Sequence, residues 1–290
     1  MKLITYKNGK NRSLGVLGCD GTVFDFSLAG LNFADMYEFI VKHKKSDLKK
    51  LKKFSKKSGG LKLKNSSKCP PITPRQDVIC LGINYLEHAI ESYKFKNIKF
   101  DGKREYAVYF SKRVNEATGD FGKIEPHFDL TQKLDYEAEL AVIIGKDAKN
   151  VSADEAENYV FGYTILNDFS ARDLQNNHKQ WYFGKSLDTF TAIGPCIVTS
   201  DEIDTENLVI KCFVNGELRQ NSNTLNMIFD KNFVISELSA GMTLKAGSVI
   251  SMGTPSGVGM GFTPPKFLQP GDVVVCEIDG IGALTNPVGR

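Results

Sequence analysis

From residue 77 onward the chain breaks into short apolar runs rich in Val, Ile, Phe and Tyr, separated by long polar connections. They are "DVICLGIN", "YAVYFS", "YEAELAVIIG", "YVFGYTILND", "GPCIVT", "LVIKCFVNG", "GSVISMG" and "DVVVCEIDG". Runs of this length and β-branched content form strands. A doubly wound sheet would place a helical pattern between successive strands, and here only two are evident. One is "SADEAENY", where Ser152 and Glu155 are spaced as a capping box, and the other is "KNFVISELS". The pattern therefore predicts a β-rich α+β fold, a mixed β-roll or barrel-like sheet. The connections at 84–105 and 112–131 are longer than usual and suit a lid or binding loops.

The first 30 residues predict short strands turning at "KNGKN" and "CDGT", followed by a helix over "FADMYEFIVK" capped by Asn32. "SGGLKLKNSSKCPPITP" has linker chemistry. It sets a boundary near residue 72, giving a small N-terminal α+β domain (1–72) and a catalytic domain (73–290). Between Lys42 and Lys68 stand twelve lysines and one acid, Asp47, a net +11 that leaves −8 on the rest of a chain carrying +3. Leu48, Leu51 and Phe54 recur there at helical spacing, with Ser46 and Asp47 suited to its start. No aromatics are interleaved as stacking platforms, so the segment reads as a solvated helix face rather than a nucleic-acid surface. The six cysteines (Cys19, Cys69, Cys80, Cys196, Cys212 and Cys276) are dispersed without a C-x-x-C pair and suit reduced, buried thiols. No run approaches the ~18 apolar residues of a membrane span, and "MKLITYKNGK" lacks a signal-peptide core. The expectation is a cytoplasmic protein without a membrane or nucleic-acid partner.

The chemistry concentrates in a few stretches. In "DYEAEL", Glu137 and Glu139 point to the same side of a strand and repel unless something positive lies between them. Asp168 closes another apolar run, "YTILND". If the three converge, hard oxygen ligands without sulfur or imidazole select Mg²⁺ or Mn²⁺, with Ca²⁺ also admitted. In "NYLEHAIES", His88 and Glu91 share a face of one helical turn, so the carboxylate can orient the imidazole as a general base. Lys185 in "QWYFGKSLDTF" is suited to stabilising an enolate or oxyanion. Arg172 and Gln175 lie one turn apart and can grip a carboxylate. Thr254, in the glycine-rich "GTPSGVG", can approach an anionic group, although the loop lacks the G-K-[ST] ending of a phosphate loop.

Taken in order, "GINYLEHAIE", "DYEAELAVIIG", "GYTILNDFSARDLQ", "QWYFGKSLDTFTAIGP", "NTLNMIF" and "GTPSGVG…LQPGDVVVCEIDGIGALTNPV" resemble the motifs of the fumarylacetoacetate hydrolase superfamily. The resemblance implies a mixed β-roll, a homodimer and a Mg²⁺ or Mn²⁺ site at Glu137, Glu139 and Asp168. It also implies a lid-borne dyad at His88 and Glu91, an active-site lysine at Lys185, and substrate contacts at Arg172, Gln175 and Thr254. Arg113 stands where many relatives have proline, and Ser251 and Met252 depart from the common residues. The expected substrate is a small oxo-acid whose pyruvyl unit reacts through an enolate. Hydrolytic cleavage of an acylpyruvate is the first expectation. The alternatives are decarboxylation or tautomerisation of oxaloacetate, isomerisation of a 2-hydroxy-diene-dioate and, more remotely, a non-catalytic metal-binding protein.

Overall fold

The computed structural model describes residues 1–95 and 105–290. Its centre is the strand Ala138–Ile144, which pairs antiparallel with Val160–Asp168 on one side and with Val249–Ser251 on the other. Every residue of Ala138–Ile144 and Val160–Asp168 is buried. A strand covered on both faces reads as continuous apolar sequence, which is the pattern these two show. Leu140, Val142 and Ile144 join one apolar core with Ile210, Cys212 and Cys276 of a second sheet. Ala141 and Ile143 join another with Leu3, Phe39 and Leu51 from the N-terminal part.

Among the described residues the main sheet has ten strands. Nine run in the order Val23–Asp25, Asn11–Leu17, Lys2–Asn8, Thr191–Thr199, Val160–Asp168, Ala138–Ile144, Val249–Ser251, Val78–Gly82 and Val108–Lys112, and Lys68–Cys69 pairs beside Lys2–Asn8. Val249–Ser251 and Val78–Gly82 are parallel, so the sheet is mixed. Its two end strands do not pair with each other, which leaves it open rather than a closed barrel. A separate four-stranded antiparallel sheet orders Glu217–Asn223, Val209–Val214, Val273–Ile278 and Gly282–Pro287. Pairing crosses the boundary expected near residue 72: Lys2 lies opposite Val198 in one continuous sheet.

Two helix caps differ from expectation. Helix Met36–Lys42 is capped by Asp35, whose carboxylate accepts the Glu38 N–H at 2.7 Å, and not by Asn32. A cap must stand immediately before the first helical residue, and the chain reaches helical geometry only at Met36. Residues Ala153–Tyr159 form a 3₁₀ helix, and the Ser152 side chain makes no cap bond. Glu155, the other half of the expected box, accepts from Asn158 Nδ2 instead at 3.0 Å. The lysine-rich helix Lys45–Phe54 buries Leu51 and packs Leu48 and Phe54 on the core, and its lysines are exposed. Among the described residues no helix is long and apolar enough to cross a membrane.

Candidate active site

The site lies where several strands of the main sheet end on one face. Side chains alternate along a strand, so Glu137 and Glu139 leave the same side, and the register sets Glu139 opposite Leu166, two residues before Asp168. The Asp168 N–H donates to the Glu137 carbonyl at 2.9 Å. Oxygens of Glu137, Glu139 and Asp168 lie within 4.8 Å of one another, and all three residues are buried. The neighbouring strand Val249–Ser251 and the edge strand Val108–Lys112 also contribute. Ser251 Oγ donates to Glu139 at 2.5 Å, beside the Gly253 N–H at 2.9 Å. Lys112, fully buried at the end of Val108–Lys112, donates to Asp168 and to the carbonyls of Phe169 and Phe190.

Positive charge is packed into this acidic centre. Lys185 Nζ bridges Glu137 Oε2 at 2.7 Å and Asp168 Oδ2 at 2.8 Å. Arg172 Nη2 reaches Glu137 Oε1 at 2.7 Å. Burial by itself would raise the Glu137 pKa, but Lys185 and then Arg172 outweigh it and hold the group well below the usual carboxylate range. Burial likewise opposes the charge on Lys185, yet Asp168 and Glu137 raise its pKa, so it remains an ammonium. Glu139 is the exception. Burial first, then the charges of Asp168 and Glu137, push it well above a normal carboxylate. Lys112, Lys185 and Arg172 thus pair with Asp168 and Glu137, and among the described residues Glu139 is left without a cation against it. A divalent cation fits that deficit and the all-oxygen donor set, and Glu137, Glu139 and Asp168 are the residues that could hold it.

His88 and Glu91 sit on helix Leu86–Phe95, which covers the centre. His88 Nδ1 is 2.9 Å from Glu91 Oε2, and His88 Nε2 is 3.4 Å from Ser92 Oγ. Only 5% of His88 is exposed, so the helix is seated in a closed arrangement. Residues 96–104 of the expected lid loop lie outside the described residues. The other end of Glu91 docks on residues 257–261: Oε1 accepts the Gly257 N–H at 3.0 Å, and a Cβ added at Gly261 would fall 1.8 Å from that oxygen.

His88, Glu137, Glu139, Arg172, Gln175, Lys185 and Thr254 line a single cleft, closed on one side by Trp181 and Phe110. Its remaining volume is about 40 Å³, room for water-sized occupants. Arg172 and Thr254, expected as substrate contacts, line the cleft and also have partners within the protein. Arg172 pairs with Asp135 (Nε, 2.9 Å), Gln175 (Nη1, 3.1 Å) and Glu137 (Nη2, 2.7 Å), so it shapes the acidic centre while also lining the cleft. Thr254 donates its hydroxyl to the Ala138 carbonyl at 2.9 Å and accepts from Gln220 Nε2 at 2.8 Å. No residue of the segment 112–131, the other long connection, lines the cleft, and Lys112 at its start reaches Asp168. Sequence reasoning missed Lys112 and Asp135. A lysine two residues beyond Phe110 in "VYFSK" shares that ring's inward face, and this alternation is the signal that marks it.

Two outcomes follow from this geometry. Gly261→Ala meets the flexible end of Glu91 rather than backbone, so it should displace the dyad while leaving the melting temperature near wild type. Turnover should drop by about 10-fold or more, measured beside a thermal melt; full activity would show that Glu91 does not need this seat. Titration with Mg²⁺ or Mn²⁺ should raise the melting temperature of the wild type by linkage, and Glu139→Gln should abolish that rise. An equal rise in the variant would place the ion elsewhere.

A model of the C-terminal domain of fumarylacetoacetate hydrolase matches residues 77–289. The chain is 48% identical over 217 residues to "Oxaloacetate tautomerase YisK" of Bacillus subtilis, covering 74% of this chain and 70% of that protein. It is 44% identical over 227 residues to "Oxaloacetate tautomerase fahd2, mitochondrial" of Xenopus laevis, covering 77% and 69%. Among solved structures it superposes on a fumarylacetoacetate hydrolase from Exiguobacterium antarcticum with a TM-score of 0.85 and 38% identity, over 100% of this chain and 99% of that one. A 2-hydroxyhepta-2,4-diene-1,7-dioate isomerase from Mycobacterium marinum superposes with a TM-score of 0.73 and 28% identity, over 100% and 98%. With the acidic centre, the buried lysine and the helix-borne histidine in place, the chain belongs to the fumarylacetoacetate hydrolase family.

Proposed function

We propose that this protein interconverts the keto and enol forms of a small 2-oxo-dicarboxylic acid of the oxaloacetate kind. The observation that carries the reading is one oriented base closed over a dense group of fixed cations and carboxylates. The Glu91 carboxylate takes the Nδ1–H of His88 and leaves Nε2 as the basic nitrogen. Nε2 accepts a proton from carbon 3 of the keto acid, and the electron pair moves onto the 2-oxo oxygen. Lys185, kept charged by Glu137 and Asp168, offers a fixed positive charge to that developing oxyanion without giving up its own proton. The imidazolium then returns its proton to the oxygen, giving the enol, or to carbon in the reverse direction. A divalent ion held by Glu137, Glu139 and Asp168 would supply Lewis acidity toward the 2-oxo acid.

Acylpyruvate hydrolysis, the first expectation from sequence, has support only at the level of the family. The relatives named as oxaloacetate tautomerases, at 48% and 44% identity, and the isomerase neighbour favour the branch in which only a proton moves. That branch asks the His88–Glu91 pair for proton transfer alone, with no second group to position a hydrolytic water.

The test is a panel of oxaloacetate, acylpyruvates and 2-hydroxy-diene-dioates with Mg²⁺ and Mn²⁺. Enol loss is followed by absorbance, and carbon–carbon cleavage by product analysis. Accelerated keto–enol exchange of oxaloacetate without pyruvate formation is expected, and His88→Gln should lower kcat by about 10² to 10⁴. Cleavage of an acylpyruvate faster than oxaloacetate exchange would overturn the assignment.

A further inference from the structure

The seat under Glu91 is itself built on a buried carboxylate that no step of the proposed reaction uses. Asp135 is fully buried at the end of the short strand Leu134–Asp135, opposite Ser170 and two residues before Glu137. Four donors converge on its two oxygens. Oδ1 accepts from Tyr136 N at 2.9 Å and from Gly259 N at 2.6 Å, and Oδ2 accepts from Met260 N at 3.0 Å and from Arg172 Nε at 2.9 Å. Gly259 is small because the carboxylate is so near: a Cβ there would lie 2.6 Å from Asp135 Oδ1 and equally close to the Lys266 carbonyl.

These contacts form one continuous path. Glu137 is gripped by Arg172, Arg172 by Asp135, and Asp135 holds residues 259 and 260. The same turn offers the Gly257 N–H to Glu91, which orients His88. We propose that Asp135 is a positioning residue: it holds the 257–261 turn as the seat on which the lid-borne dyad docks, and with its other oxygen it sets Arg172 against Glu137. One carboxylate thereby aligns the base above the cleft with the acidic centre below it.

A carboxylate suits this place and its amide does not. An Asn side chain has one acceptor and one donor, so whichever way it lies it turns N–H groups toward either the turn amides or the guanidinium. A buried donor facing a donor loses that partner. Asp135→Asn, nearly isosteric, therefore loosens the seat, the Arg172 contact, or both.

The proposal's kinetic arm rests on the function given above, and its second arm does not. In Asp135→Asn, kcat for the best oxo-acid should fall on the order of 10²-fold, as expected for a misplaced catalytic group, with a much smaller change in KM. Its effect and that of Glu91→Gln should combine to less than their product, because both act through one contact path. Independently of any substrate, amide hydrogen exchange across residues 86–95 should quicken in Asp135→Asn. It should stay at the wild-type rate in Asp120→Asn, a control that loses an equally buried acid paired with Lys68. Gly259→Ala pushes the turn off the carboxylate and carries the same readouts if Asp135→Asn does not fold. Wild-type exchange across 86–95 in the folded variant, or kinetic effects that multiply fully, would overturn the role of Asp135. If the wild-type enzyme turns over none of the oxo-acids, the functional reading fails and the exchange arm alone decides the positioning role.

Discussion

Three carboxylates buried within 4.8 Å of one another are the constraint to which the rest of the molecule answers. Each buried ion costs several kcal/mol in lost hydration unless partners are held against it. The fold supplies them from separate places: Lys112 from the end of an outer strand, Lys185 and Arg172 from short helices after Asp168, and Ser251 with the Gly253 amide from the far side of Glu139. Removing one partner of such a pair typically costs about 3 to 5 kcal/mol, because the other is left buried and uncompensated. The strands around Ala138–Ile144 are therefore committed twice over, to the apolar core along their length and to charge balance at their ends.

Pairing is incomplete by design of the site. Glu137 is ionised against two cations, whereas Glu139 faces two like charges and is pushed toward its neutral form. A cluster with that imbalance is poorly suited to a purely structural role, for which a hydrophobic replacement would serve as well. It is well suited to bringing further positive charge and an anionic oxo-acid together. The cover follows the same pattern: Glu91, bonded to His88, sits where Gly261 carries no Cβ and accepts the Gly257 N–H, so the histidine over the cleft is tied to one turn.

Much of this was legible in sequence because it depends on local spacing. The two-residue repeat put Glu137 and Glu139 on one side, and the three-residue spacing put Glu91 on His88, whatever the rest of the chain does. What escaped depends on partners far apart in the chain. Asp35 rather than Asn32 caps its helix because the chain turns helical late, and Ser152 does not cap because the segment winds as a 3₁₀ helix. The tie between Arg172 and Asp135, 37 residues earlier, is not visible until the short strands Leu134–Asp135 and Ser170–Ala171 pair. Lys112 has no acidic neighbour in sequence to mark it as buried, and only Phe110 two residues before it signals the inward face.

The proposed reaction divides labour between two ends of the cleft. In it, Glu137, Glu139, Asp168 and Lys185 would receive the oxo-acid and its developing negative charge, and His88 with Glu91 would move the proton. Oxalate is a planar two-carbon dianion that resembles the enolate end and lacks the carbon from which a proton is taken, so it reports on one end alone. Calorimetric titration of oxalate in saturating Mg²⁺ is the most direct measurement. Lys185→Ala should weaken binding strongly, and His88→Ala should leave it near wild type; equal losses in both variants would contradict the division.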